Sequence, residues 1–131
     1  MELKKMQHVG ICVHHIDDLI EKLEKTVGVN SVSIVEMPAR FQRSAYVKIG
    51  QANDVLEIME PMGTDGTVYN FLEKHGEGIH HLSFKVDSVE ETAAAFEAIG
   101  CKIIGRGQGV AFVHPKTNNG ILYELVDDTY K

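Results

Sequence analysis

Cysteine is scarce in this 131-residue chain: Cys12 and Cys101 are the only two. Their spacing fits neither a metal-binding nor a redox motif. A disulfide framework is therefore not expected, and reduced thiols in a cytoplasm are the simpler account. Runs of lysine and arginine are absent, and the net charge is -6, which disfavours a nucleic-acid surface and leaves no basic patch for a membrane. No apolar stretch approaches membrane-spanning length, and residues 1–6 lack the apolar centre of a signal peptide. Low-complexity segments are absent as well. A single soluble, cytoplasmic domain remains, long enough to bury one core without covalent staples.

What is present is an internal echo. The run His8-Val9-Gly10-Ile11-Cys12-Val13 alternates as a half-buried strand does, and it returns as His81-Leu82-Ser83-Phe84-Lys85-Val86. Val9, Ile11 and Val13 form an apolar face suited to packing under a helix. His8, Gly10 and Cys12 form a face of small or ligand-capable residues, expected to look into a cavity. In the second copy Leu82, Phe84 and Val86 oppose His81 and Ser83.

Each strand leads into a helix. In the first copy Asp17 and Asp18 suit the positive end of the helix dipole. Ile16, Ile20, Leu23 and Val27 recur at helical spacing, and Gly28 is a natural stop. In the second copy Ser88 and Glu91 read as a capping box, Val89, Ala93, Phe96 and Ile99 form the buried stripe, and Gly100 ends it. Three strand candidates follow each helix, at roughly 32–37, 43–49 and 54–59, then at 101–106, 109–114 and 121–126. The expected organisation is one α+β domain over 1–131. It comprises a βαβββ module at about 6–60, a connector at about 61–78 with a short helix around Val68 to Lys74, and a second βαβββ module at about 79–127. The longer loop from Met37 to Gln42 absorbs the unequal spacing of the copies.

The last strand of each copy carries a glutamate, Glu57 in Leu56-Glu57-Ile58 and Glu124 in Tyr123-Glu124-Leu125. The histidines are 73 positions apart (81 minus 8) and the glutamates 67 (124 minus 57). One strand histidine alone is ordinarily a core or surface residue, and one strand glutamate is ordinarily solvated. Four such residues at equivalent positions of a duplicated unit argue instead for a shared site, with His8, Glu57, His81 and Glu124 as ligands. Two imidazoles and two carboxylates suit Co, Ni, Mn, Fe or Zn, with positions left open for substrate or water. Such a cation polarises a carbonyl oxygen while a nearby carboxylate takes the neighbouring proton. His14, His15 and His75 read as exposed or helix-flanking. The register of the repeat selects His81 over His80, which alternation puts on the opposite face.

These residues resemble the vicinal oxygen chelate (glyoxalase/bleomycin resistance/dioxygenase) superfamily. Within it the second half is most similar to the methylmalonyl-CoA epimerases, through Leu56-Glu57-Ile58-Met59-Glu60-Pro61, Gly76-Glu77-Gly78-Ile79-His80-His81, Phe112-Val113-His114-Pro115-Lys116 and Gly120-Ile121-Leu122-Tyr123-Glu124-Leu125. The resemblance implies a glyoxalase-like fold: an open, cleft-lined, mixed β-sheet barrel of two tandem modules, commonly in a homodimer. It implies a divalent-metal-dependent epimerase acting on an acyl-CoA such as methylmalonyl-CoA, with Glu124 both ligand and general base. The epimerases usually carry a further glutamate before a Gln-Gly pair, where this chain has Phe41 before Gln42 and Arg43. Glu36 or, through the repeat, Glu57 is then the candidate second acid/base. Lys116 and Arg43 are candidate contacts for a substrate phosphate or carboxylate. The alternatives are a glyoxalase I type lyase, an iron dioxygenase using His8, His81 and Glu124, and a non-enzymic small-molecule binder of the same fold.

Overall fold

In a computed structural model, residues 2–130 are described, and they carry eight strands and three α-helices. In chain order these are β1 (Leu3–Cys12), α1 (Ile16–Glu24), β2 (Ser31–Met37), β3 (Gln42–Ile49), β4 (Asp54–Pro61), α2 (Gly66–His75), β5 (Gly78–Val86), α3 (Val89–Ala98), β6 (Ile103–Gly107), β7 (Val110–Val113) and β8 (Tyr123–Val126). The strands form one mixed sheet in the order β2-β3-β4-β1-β5-β8-β7-β6. The βαβββ unit read from the sequence is thus present twice. Among the described residues no helix is long and apolar enough to cross a membrane.

The chain divides into two compact units, residues 9–80 and residues 2–8 with 81–130. In the first, β4 pairs parallel with β1 (Gly10 opposite Glu57) and antiparallel with β3 (Tyr46 opposite Glu57). Val13, Ile16, Ile20, Ala45, Val47 and Ile58 form the core beneath α1, with Ile11 packed against it. In the second, β8 pairs parallel with β5 (Ser83 opposite Glu124) and antiparallel with β7 (Phe112 opposite Glu124). Its core is Val86, Val89, Ala111, Val113 and Leu125, with Phe84, Phe96 and Tyr123 packed against it. Burying a side chain such as Ile16 or Leu125 contributes about 1.5–3 kcal/mol, so these two aliphatic layers dominate the attachment of each helix.

A pair of contacts repeats with the fold. The backbone N–H of Ile16, first residue of α1, donates to Glu60 Oε1 at 2.7 Å, and that of Val89, first residue of α3, donates to Asp127 Oδ2 at 2.9 Å. The donors are 73 positions apart and the acceptors 67, the offsets of the histidine and glutamate pairs. Residues three apart in a strand face opposite ways. Glu57 and Glu124 therefore lie on the strand face away from the helix, while Glu60 of β4, and Asp127 just past the end of β8, cap the helices.

Several expectations need correction. Val27 is 71% exposed and Ile99 78% exposed, because α1 stops at Glu24 and α3 at Ala98 before the apolar stripe ends. Gly28 and Gly100 lie beyond those ends with φ of +86° and +97°, a left-handed turn in which glycine carries no Cβ penalty. The Ser88 hydroxyl accepts from Glu91 N at 3.1 Å, the forward half of a capping box. The Cys12 end of β1 does not look into a cavity: Cys12 is fully buried with Met59, Val68 and Leu72 beneath α2. The connector helix thus covers Cys12, at the end of the face that read as open space.

Candidate metal centre

Strands β1, β5 and β8 bring His8, His81 and Glu124 together, with one ligand atom of each lying within 4.8 Å of the others. His8 Nε2 is 3.0 Å from His81 Nε2 and 3.4 Å from Glu124 Oε1. The two imidazoles meet edge to face, with ring centres 5.1 Å apart and planes at 82°. His81 is 6% exposed and Glu124 9%. Taking a carboxylate this far out of water is costly unless positive charge or hydrogen-bond donors meet it.

These residues fit a divalent cation on two grounds. Nitrogen and oxygen donors without thiolate suit Co, Ni, Mn, Fe or Zn. The 3.0 Å between the Nε2 atoms is also the span of two ligands each about 2.1 Å from one ion at a right angle. The buried Glu124 carboxylate beside the two imidazoles supplies part of the negative charge such an ion requires.

Glu57 belongs to the unit formed by residues 9–80, where it is 8% exposed and accepts a hydrogen bond from the Tyr46 hydroxyl at 3.2 Å. Tyr46 shares its face of β3 with buried Gln42 and Ser44, whose side chains hydrogen-bond to each other at 3.0 Å. Sequence reasoning missed this polar row. Its signal was the alternation Gln42, Ser44, Tyr46 leading to a register partner of Glu57. Cys12 lies close enough to Glu57 for the carboxylate's charge to act on its thiol. Burial, with a smaller contribution from that charge, pushes the thiol up to about 12, so it is protonated and inert at neutral pH.

The remaining candidates are dispersed. His14, His15 and His75 are exposed. His80 packs edge-on against Phe71 of α2 with ring centres 5.0 Å apart. Burial lowers its pKa, the charge of Glu57 opposes that shift, and His75 adds to it. The regular β3–β4 register puts Arg43, a candidate substrate contact, on the opposite face from Glu57, where its Nη1 donates to Glu60 Oε2 at 3.2 Å. Glu36 pairs with Arg43 across β2 and β3 and shares that other face. Phe41 is 43% exposed and left-handed (φ 58°) after the 3-10 turn Pro38–Arg40. Lys116 is exposed in the 3-10 turn Pro115–Thr117, its backbone N–H donating to His114 Nδ1 at 3.1 Å.

Residues 7–116 match the Glyoxalase/Bleomycin resistance protein/Dioxygenase superfamily. The uncharacterized protein YqjC of Bacillus subtilis is 30% identical over 95% of this chain and 93% of its own. The ethylmalonyl-CoA/methylmalonyl-CoA epimerase of Cereibacter sphaeroides is 25% identical over 92% of this chain and 96% of its own. Among solved structures, a variant of the Streptomyces coelicolor methylmalonyl-CoA epimerase in complex with 2-nitronate-propionyl-CoA superposes with a TM-score of 0.80. It is 30% identical, covering 96% of this chain and 98% of that one.

Proposed function

Because the chain belongs to the Glyoxalase/Bleomycin resistance protein/Dioxygenase superfamily, we propose that it is a divalent-metal-dependent epimerase of an acyl-CoA, with methylmalonyl-CoA the favoured substrate. The observation that carries the reading is the convergence of His8, His81 and Glu124 within 4.8 Å in a largely buried setting. The similarity to epimerases along nearly the whole chain narrows the reaction class.

His8, His81 and Glu124 would hold the cation, with Glu57, the repeat equivalent of Glu124, as the proposed fourth ligand. The bound ion supplies Lewis acidity toward the carbonyl oxygens of the substrate. Glu124 removes the proton from the carbon between the thioester and the carboxylate. The C–H bonding pair passes into the adjacent carbonyl to give an enolate. Inversion requires a proton to reach the opposite face, and Glu57, in its protonated form, is the proposed donor. It becomes a carboxylate that the Tyr46 phenol can hydrogen-bond. Solvent takes the proton from Glu124 and restores the one on Glu57 before the next turnover. Lys116, in an exposed turn, is the proposed contact for a phosphate of the coenzyme. Arg43 is engaged by Glu60 and would have to exchange that partner to reach a substrate carboxylate. The working assembly is proposed to be a homodimer.

The test is solvent deuterium exchange into a single epimer of methylmalonyl-CoA, with and without cobalt(II). Incorporation at the branched carbon together with inversion, both dependent on cobalt, is the expected result. No exchange, combined with turnover of methylglyoxal plus glutathione, would assign the lyase reading instead. That second reading is favoured by one feature, a carboxylate at both repeat positions, Glu57 and Glu124.

A further inference from the structure

Each carboxylate of the repeat stands between two neighbours in its sheet, one on a parallel strand and one on an antiparallel strand. Glu57 has Gly10 and Tyr46, and Glu124 has Ser83 and Phe112. Paired residues on adjacent strands share a face, so each glutamate has one hydroxyl-bearing neighbour, and the two hydroxyls come from opposite sides. In the first case the hydroxyl is engaged, Tyr46 donating to Glu57 at 3.2 Å. In the second, Ser83 is fully buried and its Oγ has no hydrogen-bond partner among the described residues. Ser83 also follows His81 by two positions on β5, which places it on the ligand-bearing face.

A buried hydroxyl left without a partner loses its hydration with nothing in return, and alanine fills nearly the same space without that cost. Retaining serine at this point is understandable if the hydroxyl acquires an acceptor during function. We propose that Ser83 is a positioning residue of the His8–His81–Glu124 site: its hydroxyl donates to the Glu124 carboxylate when that carboxylate turns to hold a divalent cation. A ligating carboxylate retains lone pairs for such a donor, and the hydrogen bond fixes its rotamer. Phe112, on the other side of Glu124, offers no hydroxyl. The proposal rests on the reading of the three side chains as a cation site.

The experiment titrates cobalt(II) calorimetrically into the metal-free full chain, comparing wild type, Glu124→Ala and Ser83→Ala, with the visible absorption of bound cobalt and the metal-free Tm recorded for each. Wild type binds one cobalt, and Glu124→Ala weakens binding strongly. Ser83→Ala weakens it about tenfold, as loss of a ligand's outer hydrogen bond does, and shifts the cobalt absorption band. Its metal-free Tm equals or exceeds that of wild type. Failure of wild type to bind cobalt overturns the cation site and this proposal together. Weakened binding in Glu124→Ala with wild-type affinity and spectrum in Ser83→Ala overturns this proposal alone. A lowered metal-free Tm in Ser83→Ala with unchanged cobalt affinity assigns the serine a packing role and also overturns it.

Discussion

Glu124 and Glu57 occupy equivalent places in the two modules yet have different surroundings. Glu124 lies 3.4 Å from a His8 nitrogen, whereas Glu57 accepts from the Tyr46 phenol. Removing a general base lowers turnover by about 10²–10⁴-fold. We expect Glu124→Ala to fall at least that far in kcat and to bind cobalt(II) weakly, since the proposed ligand and the proposed base would be lost together. Glu57→Gln separates the roles of its carboxylate: a proton donor loses turnover while the amide retains much of the cation affinity. Stopped assays of epimerisation beside cobalt titration read both quantities, and normal epimerisation by Glu57→Gln would remove it from the proton path. The two thiols give a second residue-scale expectation. Cys12 is fully buried, its thiol held at about 12 by burial and the Glu57 charge, while Cys101 is partly exposed with its Sγ 3.4 Å from Thr117 O. Iodoacetamide at neutral pH should therefore modify Cys101 in the native protein and spare Cys12 until denaturant is added, as peptide mass mapping would report.

At the scale of elements, Glu60 and Asp127 tie helix to sheet in the same way in both modules. The His15 side chain does not cap α1, and Glu60 supplies the acceptor that its first turn needs. Glu60→Ala and Asp127→Ala should each cost about 1 kcal/mol, the usual loss when a helix N-terminus gives up its cap, measured by urea unfolding. Asp127 also predicts a pH dependence. The Thr129 hydroxyl first, then the Val89 and Thr129 backbone N–H groups and the charge of Lys4, hold its carboxyl below the ordinary 3.8. A depressed folded-state pKa means that the stabilisation is present above the unfolded value and is lost as pH falls through the folded value. The stability difference between wild type and Asp127→Asn should thus shrink below pH 3.8 and be steady at neutral pH.

These clamps mark how far the sequence could be read. The offsets of 73 and 67 were visible for the histidines and glutamates, and the same offsets join Ile16 to Val89 and Glu60 to Asp127. The clamp was legible in principle, but a carboxylate three residues beyond a ligand reads as a solvated charge until pairing shows its face. Tyr46 and Ser83 were missed for a related reason: a hydroxyl acquires meaning only through its register partner on another strand. Strand identity survived because period-two alternation is a strong local signal. Helix ends did not, because Val27 and Ile99 continue an apolar period that the backbone abandons. The face of Arg43 follows from the same alternation, because Arg43 shares a side of β3 with Ala45 and Val47, which pack beneath α1.

For the whole molecule, the duplicated βαβββ unit is the feature from which the rest follows. The edge strand β2 leaves Val32, Ile34 and Val35 at 39%, 43% and 40% exposure. An exposed apolar edge invites pairing with another chain. Sedimentation equilibrium should accordingly return twice the 14.5 kDa chain mass, and Ile34→Lys should shift the population toward monomer. The central claim concerns the three side chains that β1, β5 and β8 bring within reach of one another. Crystals grown with cobalt(II) and measured at the cobalt absorption edge test it most directly. The account predicts one anomalous peak bonded to Nε2 of His8, Nε2 of His81 and a carboxylate oxygen of Glu124. A map with no peak there, or with cobalt held only by other residues, would contradict it.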